Sequence, residues 1–443
     1  MELHPILEAD DVPNYDMWYV LSPRGEPPSM RVGHTCIFVP ENKESSSKLL
    51  IVGGANPNGS FSETYFLDFK KYEWDIPELK GLQARYEHTT WLTDNNVYVF
   101  GGADMNGNLN TIQKLDLDTD LWTTPVLSGI PPSPRTCHAH ATANNMMYVI
   151  GGGETGAEPV ADRQLHVFDS KTLTWSQPKT NGKPPKARHG HVMVVIGNKL
   201  FLHGGMSRNT FFDDLHELNL KTLTWKQVRC KGDIPSGRAA HAAVSYGNHI
   251  IISCGMNHTG AMDDLYHYNT DTSRWTKLNI EGAPPSCRLD HSMCIIEWKY
   301  KQKKEKANSE HSIMNQVNSD CATNTPQIQK LTLSDDRIKV EDGTVDQVSC
   351  ANSVTESDTE DVLPQENAST GASADVASFS PPGAAAANEI DVTEQTIEGC
   401  EIVSNTKASS LDGSCMMLLM CGGMDTQGEI FDDTLVLRLN LPT

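Results

Sequence analysis

Residues 188–225, RHGHVMVVIGNKLFLHGGMSRNTFFDDLHELNLKTLTW, contain the unit that decides the fold. The unit opens with an arginine and a histidine three residues apart, followed by two apolar runs on either side of a Gly-Asn turn. The second run ends at Gly204-Gly205, and a third, alternating run leads to Trp225. Each run has the length of a strand and is bounded by turn residues. Because short strands without a helix cannot bury their faces alone, the unit predicts copies stacked against it.

Three features of this unit recur with a period close to fifty residues. Successive arginines lie 54, 50, 53, 50 and 50 residues apart, and a histidine follows each arginine by three. In most copies 20 residues separate the second glycine from the tryptophan. The repeated arginines are Arg31, Arg85, Arg135, Arg188, Arg238 and Arg288. The second glycines are Gly54, Gly102, Gly152, Gly205, Gly255 and Gly423. The tryptophans are Trp18, Trp74, Trp122, Trp175, Trp225 and Trp275.

The period, the paired glycine and the trailing tryptophan together resemble the kelch repeat, which forms one blade of a β-propeller. The resemblance implies an all-β fold, a six-bladed kelch β-propeller. Trp18 precedes every Arg-His pair, whereas the sixth copy ends without a tryptophan. We therefore predict that residues 17–22 form a strand that closes the last blade, because this pairing removes two exposed sheet edges.

The sixth copy contains a long insertion. Arg288 and Gly422 are 134 residues apart, where 16 is usual, and residues 308–412 hold 19 acidic but only 4 basic residues. A segment this acidic, with few aromatic residues, does not bury enough apolar area to fold. We therefore expect the insertion to be disordered. The predicted organisation is a polar lead-in (1–16), blades one to five with the start of blade six (17–298), an insertion (299–413) and the remainder of blade six (414–443).

The composition bears on partners and location. A net charge of −21 argues against nucleic-acid binding, which requires a basic surface. The longest apolar run, residues 416–421, is too short for a transmembrane segment, and no secretory leader is evident. Eleven cysteines without a CxxC pair favour reduced thiols in the cytoplasm. The lysines from Lys299 to Lys306 form a weak pattern for contact with anionic lipid.

Several repeated residues could in principle carry chemistry, and we interpret them as structural. One histidine per blade could bind metal, but a side chain repeated in every blade more often makes the same hydrogen bond within each blade. The glycine pairs do not precede a helix, so they are not predicted to bind phosphate. We interpret Asp213-Asp214, and the pairs at 263–264 and 432–433, as turn residues. The tryptophans are predicted to pack between blades. No catalytic, metal-binding or cofactor-binding residue is predicted, and no cofactor.

Many stretches also resemble one branch of the kelch proteins, the kelch-motif effectors of a late-endosomal Rab GTPase. They include RVGH (31–34), GGANPN (53–58), RYEH (85–88), GGGE (151–154), LHVFD (165–169), RHGHVM (188–193), RLDHSMCII (288–296) and GGM (422–424). This resemblance implies a non-enzymatic scaffold that binds a GTP-bound Rab and acts in vesicle transport from endosomes to the trans-Golgi network. It also implies a cytoplasmic protein with a peripheral fraction on endosomal membranes. It assigns no Rab-binding residues.

Two alternatives remain open. Kelch propellers often serve as substrate-recognition subunits of cullin ubiquitin ligases, but these usually carry an adaptor domain. About 16 residues precede Trp18, so no such domain is expected there. The other alternative is a metal-dependent kelch enzyme, such as a copper oxidase or an iron-dependent lyase, which would need a ligand cluster confined to particular blades.

Overall fold

The computed structural model describes residues 4–155, 158–301 and 412–441, which contain 37 β-strands and no helix. Six similar sheets repeat along the chain. In blade two, for example, the four strands are antiparallel and consecutive, and the first of them lines the central axis. The all-β fold and the six-bladed propeller are therefore confirmed.

The strand bounds follow the repeat. The N-terminal strands are β1 (Ile6–Leu7) and β2 (Trp18–Leu21). Blade one comprises β3 (Thr35–Val39), β4 (Lys48–Val52), β5 (Ala55–Asn56), β6 (Gly59–Ser60), β7 (Thr64–Asp68) and β8 (Glu73–Asp75). Blade two comprises β9 (Thr89–Thr93), β10 (Asn96–Phe100), β11 (Ala103–Asp104), β12 (Gly107–Asn108), β13 (Ile112–Asp116) and β14 (Leu121–Thr123). Blade three comprises β15 (Ala139–Ala143), β16 (Met146–Ile150), β17 (Gly153–Thr155), β18 (Glu158–Pro159), β19 (His166–Asp169) and β20 (Thr174–Ser176).

Blades four and five begin with an added outer strand, and blade six begins with a long inner hairpin. Blade four comprises β21 (Asn181–Gly182), β22 (Val192–Ile196), β23 (Lys199–His203), β24 (Met206–Ser207), β25 (Thr210–Phe211), β26 (Leu215–Asn219) and β27 (Thr224–Gln227). Blade five comprises β28 (Lys231–Gly232), β29 (Ala242–Tyr246), β30 (His249–Ser253), β31 (Met256–Asn257), β32 (Gly260–Ala261), β33 (Leu265–Asn269) and β34 (Arg274–Lys277). Blade six comprises β35 (Ser292–Lys301), β36 (Asp412–Cys421) and β37 (Thr434–Leu437).

The propeller has two distinct faces. On one, which we call the turn face, two-residue turns such as Asp94-Asn95 join the first and second strands of a blade. On the other, the hairpin face, a two-stranded hairpin such as β11–β12 connects the second and third strands. Because these connections lie outside the main ladders, their side chains can vary without disturbing the blades.

The last blade is closed by the N-terminal strand, as predicted. β2 pairs antiparallel with β37, which places Trp18 opposite Leu437 and Tyr19 opposite Val436. The lead-in contributes more than the sequence suggested. β1 pairs in parallel with β2, and Leu7 is only 2% exposed, so part of residues 1–16 belongs to the core of blade six.

A second series of glycines, which the sequence reasoning missed, lets each connector between blades pack against the outermost strand of the blade that it enters. The connector entering blade five forms β28, which pairs in parallel with β34. Gly232 has a φ of +81°, and a Cβ there would lie 2.1 Å from the carbonyl oxygen of Trp275. Only glycine fits so close an approach. The equivalent glycines against the other anchor tryptophans are Gly25, Gly81, Gly129 and Gly182.

Blade six differs from the other blades in its inner hairpin. β35 and β36 pair over ten residues each, from Ser292↔Cys421 to Lys301↔Asp412. The predicted insertion at 299–413 therefore begins and ends inside paired strands. The disorder expected for this insertion concerns residues 302–411, which lie outside the described residues.

The core lies between blades rather than within one. Trp225 of blade four shares a buried cluster with Leu200 and Leu218 of its own blade and with Leu165 and Val167 of blade three. All six anchor tryptophans are at most 5% exposed. Each tryptophan therefore fills the space between two stacked sheets.

We predict that Trp225→Ala lowers the free energy of unfolding by about 3–5 kcal/mol, because it empties a large interblade site. Urea denaturation at constant pH measures the effect. Leu121→Ala is the matched control on an outer strand, since Leu121 is 50% exposed and its loss is expected to cost less than about 0.5 kcal/mol. A Trp225→Ala midpoint equal to that of the control would contradict interblade packing.

Candidate functional site: buried anchors, axial channel and loop faces

The repeated arginines are buried and hold the hairpin face in place. Each is at most 2% exposed, and its guanidinium donates to a backbone carbonyl at the end of the second strand of its own blade. In blade four, Arg188 Nη1 lies 2.8 Å from the carbonyl oxygen of Gly204. The other pairs are Arg31 with Gly53, Arg85 with Gly101, Arg135 with Gly151, Arg238 with Cys254 and Arg288 with Gly422.

The acidic pairs are more than turn residues, which corrects the sequence interpretation. Asp214 binds Arg188 through two hydrogen bonds of 2.6 and 3.1 Å. Asp264 and Asp433 bind Arg238 and Arg288 in the same way. Burial alone would raise the pKa of Asp214, but the hydrogen bonds from His216 and Arg188 and the charge of Arg188 outweigh it and hold this pKa well below its usual range. The second aspartate of each pair thus neutralises a buried cation.

The arginine of blade two is an exception. Arg85 is fully buried, but it bonds to the neutral side chains of Gln113 and Thr111 instead of to a carboxylate. Burial lowers its pKa to about 10, with a partial offset from the charge of Asp104. Blades one and three use Glu63 and Asp162 as the acidic partner.

Five of the six repeated histidines make hydrogen bonds between blades, whereas we had expected bonds within each blade. His191 Nε2 of blade four lies 3.0 Å from the carbonyl oxygen of Ile150 in blade three and donates to it. Burial, and then the neighbouring Arg188, lower the pKa of His191 to about 3, so the imidazole is neutral. The other interblade pairs are Thr35 with His88, Thr89 with His138, His203 with His241 and Ser253 with His291.

The glycine pairs provide close contacts to these histidines. Gly204 and Gly205 have φ values of +68° and +89°. A Cβ on Gly204 would lie 2.7 Å from the imidazole of His241 in the next blade, and a Cβ on Gly205 would lie 2.7 Å from the Cβ of His191. The positive φ and the lack of space both require glycine. No helix follows the pair, so it has no helix N-terminus for phosphate.

Six residues, one from each blade, encircle the axis immediately before the innermost strands. All have positive φ, and backbone amides connect most neighbours, for example Glu87 N to Gly33 O at 2.7 Å and Ala240 N to Gly190 O at 2.8 Å. The six are Gly33, Glu87, Cys137, Gly190, Ala240 and Asp290. They line a channel of about 230 Å³ together with the anchor histidines.

The axial positions bring together acidic groups that are remote in sequence. The Cys137 thiol lies 2.9 Å from the Glu87 carboxylate and donates to it. Burial raises the pKa of Asp290 to about 7, and the negative charge of Glu87 adds to this effect. The channel therefore holds a carboxyl group whose pKa is raised by burial and by a neighbouring negative charge.

Within the described part of the chain, the remaining candidate residues do not assemble into a metal centre. Among residues 4–155, 158–301 and 412–441, no three His, Cys, Asp or Glu side chains are arranged to hold a metal ion. Lys299 and Lys301 form ion pairs with Glu41 and Asp10, and the other lysines of that cluster lie outside the described residues. In the described part of the chain, no helix has the length and apolarity needed to cross a membrane.

The fold and the repeated anchors define a kelch-type propeller. A family model, the KLHDC2/KLHL20/DRC7 Kelch-repeats domain, matches residues 12–162 and 143–300. The two matches together cover more than half of the chain. The chain therefore belongs to the kelch-repeat family.

Among curated proteins, the chain is similar to several that carry kelch motifs. The chain is 46% identical over 220 residues to the Rab9 effector protein with kelch motifs of Xenopus laevis, and 47% identical over 220 residues to the protein of that name in Homo sapiens. Each match covers 48% of this chain. It covers 60% of the Xenopus laevis protein and 59% of the Homo sapiens protein. A shorter match, 39% over 84 residues, links it to N-(sulfonatooxy)prop-2-enimidothioate sulfolyase of Thlaspi arvense, covering 19% of this chain and 24% of that protein.

We predict that Asp214→Asn destabilises the protein by about 3–5 kcal/mol, because it leaves a buried guanidinium without its counter-charge. Asp213→Asn is the matched control, since the neighbouring Asp213 is exposed and no hydrogen bond to Arg188 is lost. Its expected effect is within about 0.5 kcal/mol. Equal unfolding midpoints for the two variants would rule out the proposed role of Asp214.

A second prediction concerns Asp290. Its folded-state pKa of about 7 exceeds the unfolded value of 3.8, so the folded state binds the extra proton between these values. Stability from this group is lost as the pH rises from about 4 to 7, by at most about 1.4 kcal/mol per unit. Asp290→Asn removes the titration, so the variant should gain stability over the wild type between pH 5 and 8. Parallel pH profiles from urea denaturation would contradict this.

Proposed function

We propose that this propeller is a non-enzymatic scaffold that binds a GTP-bound Rab GTPase and acts in vesicle transport from endosomes to the trans-Golgi network. The observation that carries the proposal is the identity of 46–47% to proteins named as Rab9 effectors, over 220 residues. These matches cover about three-fifths of the relatives, and the binding role is inferred from them.

The geometry supports binding rather than catalysis. The repeated arginines, histidines and aspartates are engaged in structural hydrogen bonds, as Arg188, Asp214 and His191 are in blade four. The loops of both faces lie outside the ladders and present variable side chains on a rigid frame. Such a frame suits a partner surface that changes with the bound nucleotide, because γ-phosphate contacts order the switch segments of a GTPase.

A cytoplasmic location with a peripheral endosomal fraction follows from the same proposal. A scaffold that binds a membrane-attached GTPase is recruited to that membrane only while the GTPase carries GTP. The membrane fraction should therefore depend on the partner and not on a segment of this chain.

The test is a pull-down of the full chain with immobilised Rab9 loaded with GDP or with a non-hydrolysable GTP analogue. We expect at least ~tenfold stronger binding to the GTP form, equivalent to about 1.4 kcal/mol. A Rab of another compartment, loaded in the same two ways, is the specificity control. Crosslinking mass spectrometry of the GTP complex then assigns the face. Equal binding to both nucleotide forms, or none, would refute the proposal.

A further inference from the structure

The second strand of blade six is paired unequally on its two edges. β36 pairs with β35 along all ten residues, but with β37 only from Leu418 to Cys421. After Leu437 the chain turns away, and the amide of Asp16 donates to the carbonyl oxygen of Arg438 at 2.7 Å. Among the described residues, the first half of β36 is therefore left with one open edge.

The hydrogen-bonding direction along β36 identifies the open groups. Gly422 N donates to Asp433 O at 3.1 Å, on the side where β37 lies. Because alternate residues of an antiparallel strand direct their amide and carbonyl to the same side, Met416 and Ser414 direct theirs to the open edge. In the described part of the chain no residue bonds to these two amides. An unpaired edge of this kind is a template for another strand.

A groove of about 740 Å³ separates this edge from residues 438–441 on the turn face. Its apolar lining is exposed: Met416 is 40%, Tyr246 39% and Tyr15 52% accessible. Three large exposed apolar side chains around one groove are a feature of binding sites rather than of ordinary surface. The volume lies within the range of sites that bind ligands.

The groove also carries a positive charge. Arg438 Cζ lies 3.9 Å from the centre of the Tyr15 ring, and its guanidinium donates to Tyr15 Oη and to the carbonyl oxygen of Pro13. Both acceptors are neutral, and among the described residues Arg438 forms no ion pair with a carboxylate. An occupant with an acidic side chain would complete an ion pair here.

We propose that this groove binds an extended segment of a partner protein, which adds a strand to β36 at Ser414 and Met416. Alternate apolar side chains of the segment contact Met416, Tyr246 and Tyr15, and an aspartate or glutamate pairs with Arg438. Residues 438–441 bound the far side of the groove, which favours a single strand over a folded domain. Addition of a strand to an open edge is an established mode of peptide recognition. The inference does not depend on the GTPase.

The probe is a phage-displayed library of random dodecapeptides, selected on the full chain. Enriched peptides are synthesised with a fluorescent label and titrated by fluorescence polarisation. We expect sequences that alternate apolar and polar residues and contain an acidic residue. A failure to enrich such peptides would overturn the proposal.

Two variants at Met416 separate the contribution of the backbone amide to peptide binding from that of the side chain. Met416→Ala keeps the amide and should weaken binding only a few-fold, whereas Met416→Pro removes the amide and should weaken it at least ~tenfold. Met105→Ala is the matched control, because Met105 is 77% exposed on the hairpin face. If Met416→Pro lowers the melting temperature by more than a few degrees, Arg438→Gln and Tyr246→Ala replace it, with the same expected loss.

Two results would overturn the proposal. One is equal peptide affinity for the wild type, Met416→Pro, Arg438→Gln and Tyr246→Ala. The other is self-association of the full chain in analytical ultracentrifugation that Met416→Pro abolishes, since a second copy would then occupy the edge.

Discussion

The structure depends on the buried guanidinium of each blade. Taking a cation out of water is costly unless acceptors and a counter-charge surround it. Arg188 finds both in its own blade, in the carbonyl of Gly204 and the carboxylate of Asp214. The carbonyl reaches the guanidinium because the backbone turns at Gly204 with a positive φ, which glycine adopts freely. The arginine, the glycine pair and the aspartate therefore form one structural unit. The repetition of this unit sets the spacing of the blades along the chain.

The repeat spacing, together with its resemblance to the kelch repeat, was enough to predict the blades and their closure. It could not predict the partners of the anchors. A histidine with a period of one blade has the same spacing whether it bonds within its blade or to the preceding one, so the bond from His191 to Ile150 was missed. Asp214 was recognised at a repeated position but interpreted as a turn residue, because spacing does not name its partner. Glu63 was missed because loop length shifts it: it follows its arginine by 32 residues where Asp214 follows by 26.

Other features have no sequence signal because they exist only in the closed structure. Leu7 stands in a polar segment, and it becomes a core residue only when β1 pairs with β2. Glu87 and Asp290 are about two hundred residues apart, and the six-fold arrangement brings both to the axis. Such contacts require a register between distant strands, which a local hydrophobic pattern does not contain.

The repeated frame cannot by itself specify a partner, since every blade contains the same buried arginine. Specificity for a partner must therefore come from positions where the blades differ. Among the described residues, these differences occur mainly in blades two and six. Blade two lacks a carboxylate for Arg85, and blade six extends its inner hairpin and takes its outer strands from the N-terminus. Because closure joins the two ends of the chain in blade six, its ladder ends unevenly. Among the described residues, β36 keeps an open edge, whereas the second strands β10 and β23 are paired along both edges. The asymmetry that closes the propeller therefore also creates the open strand edge at which we propose that a partner segment binds.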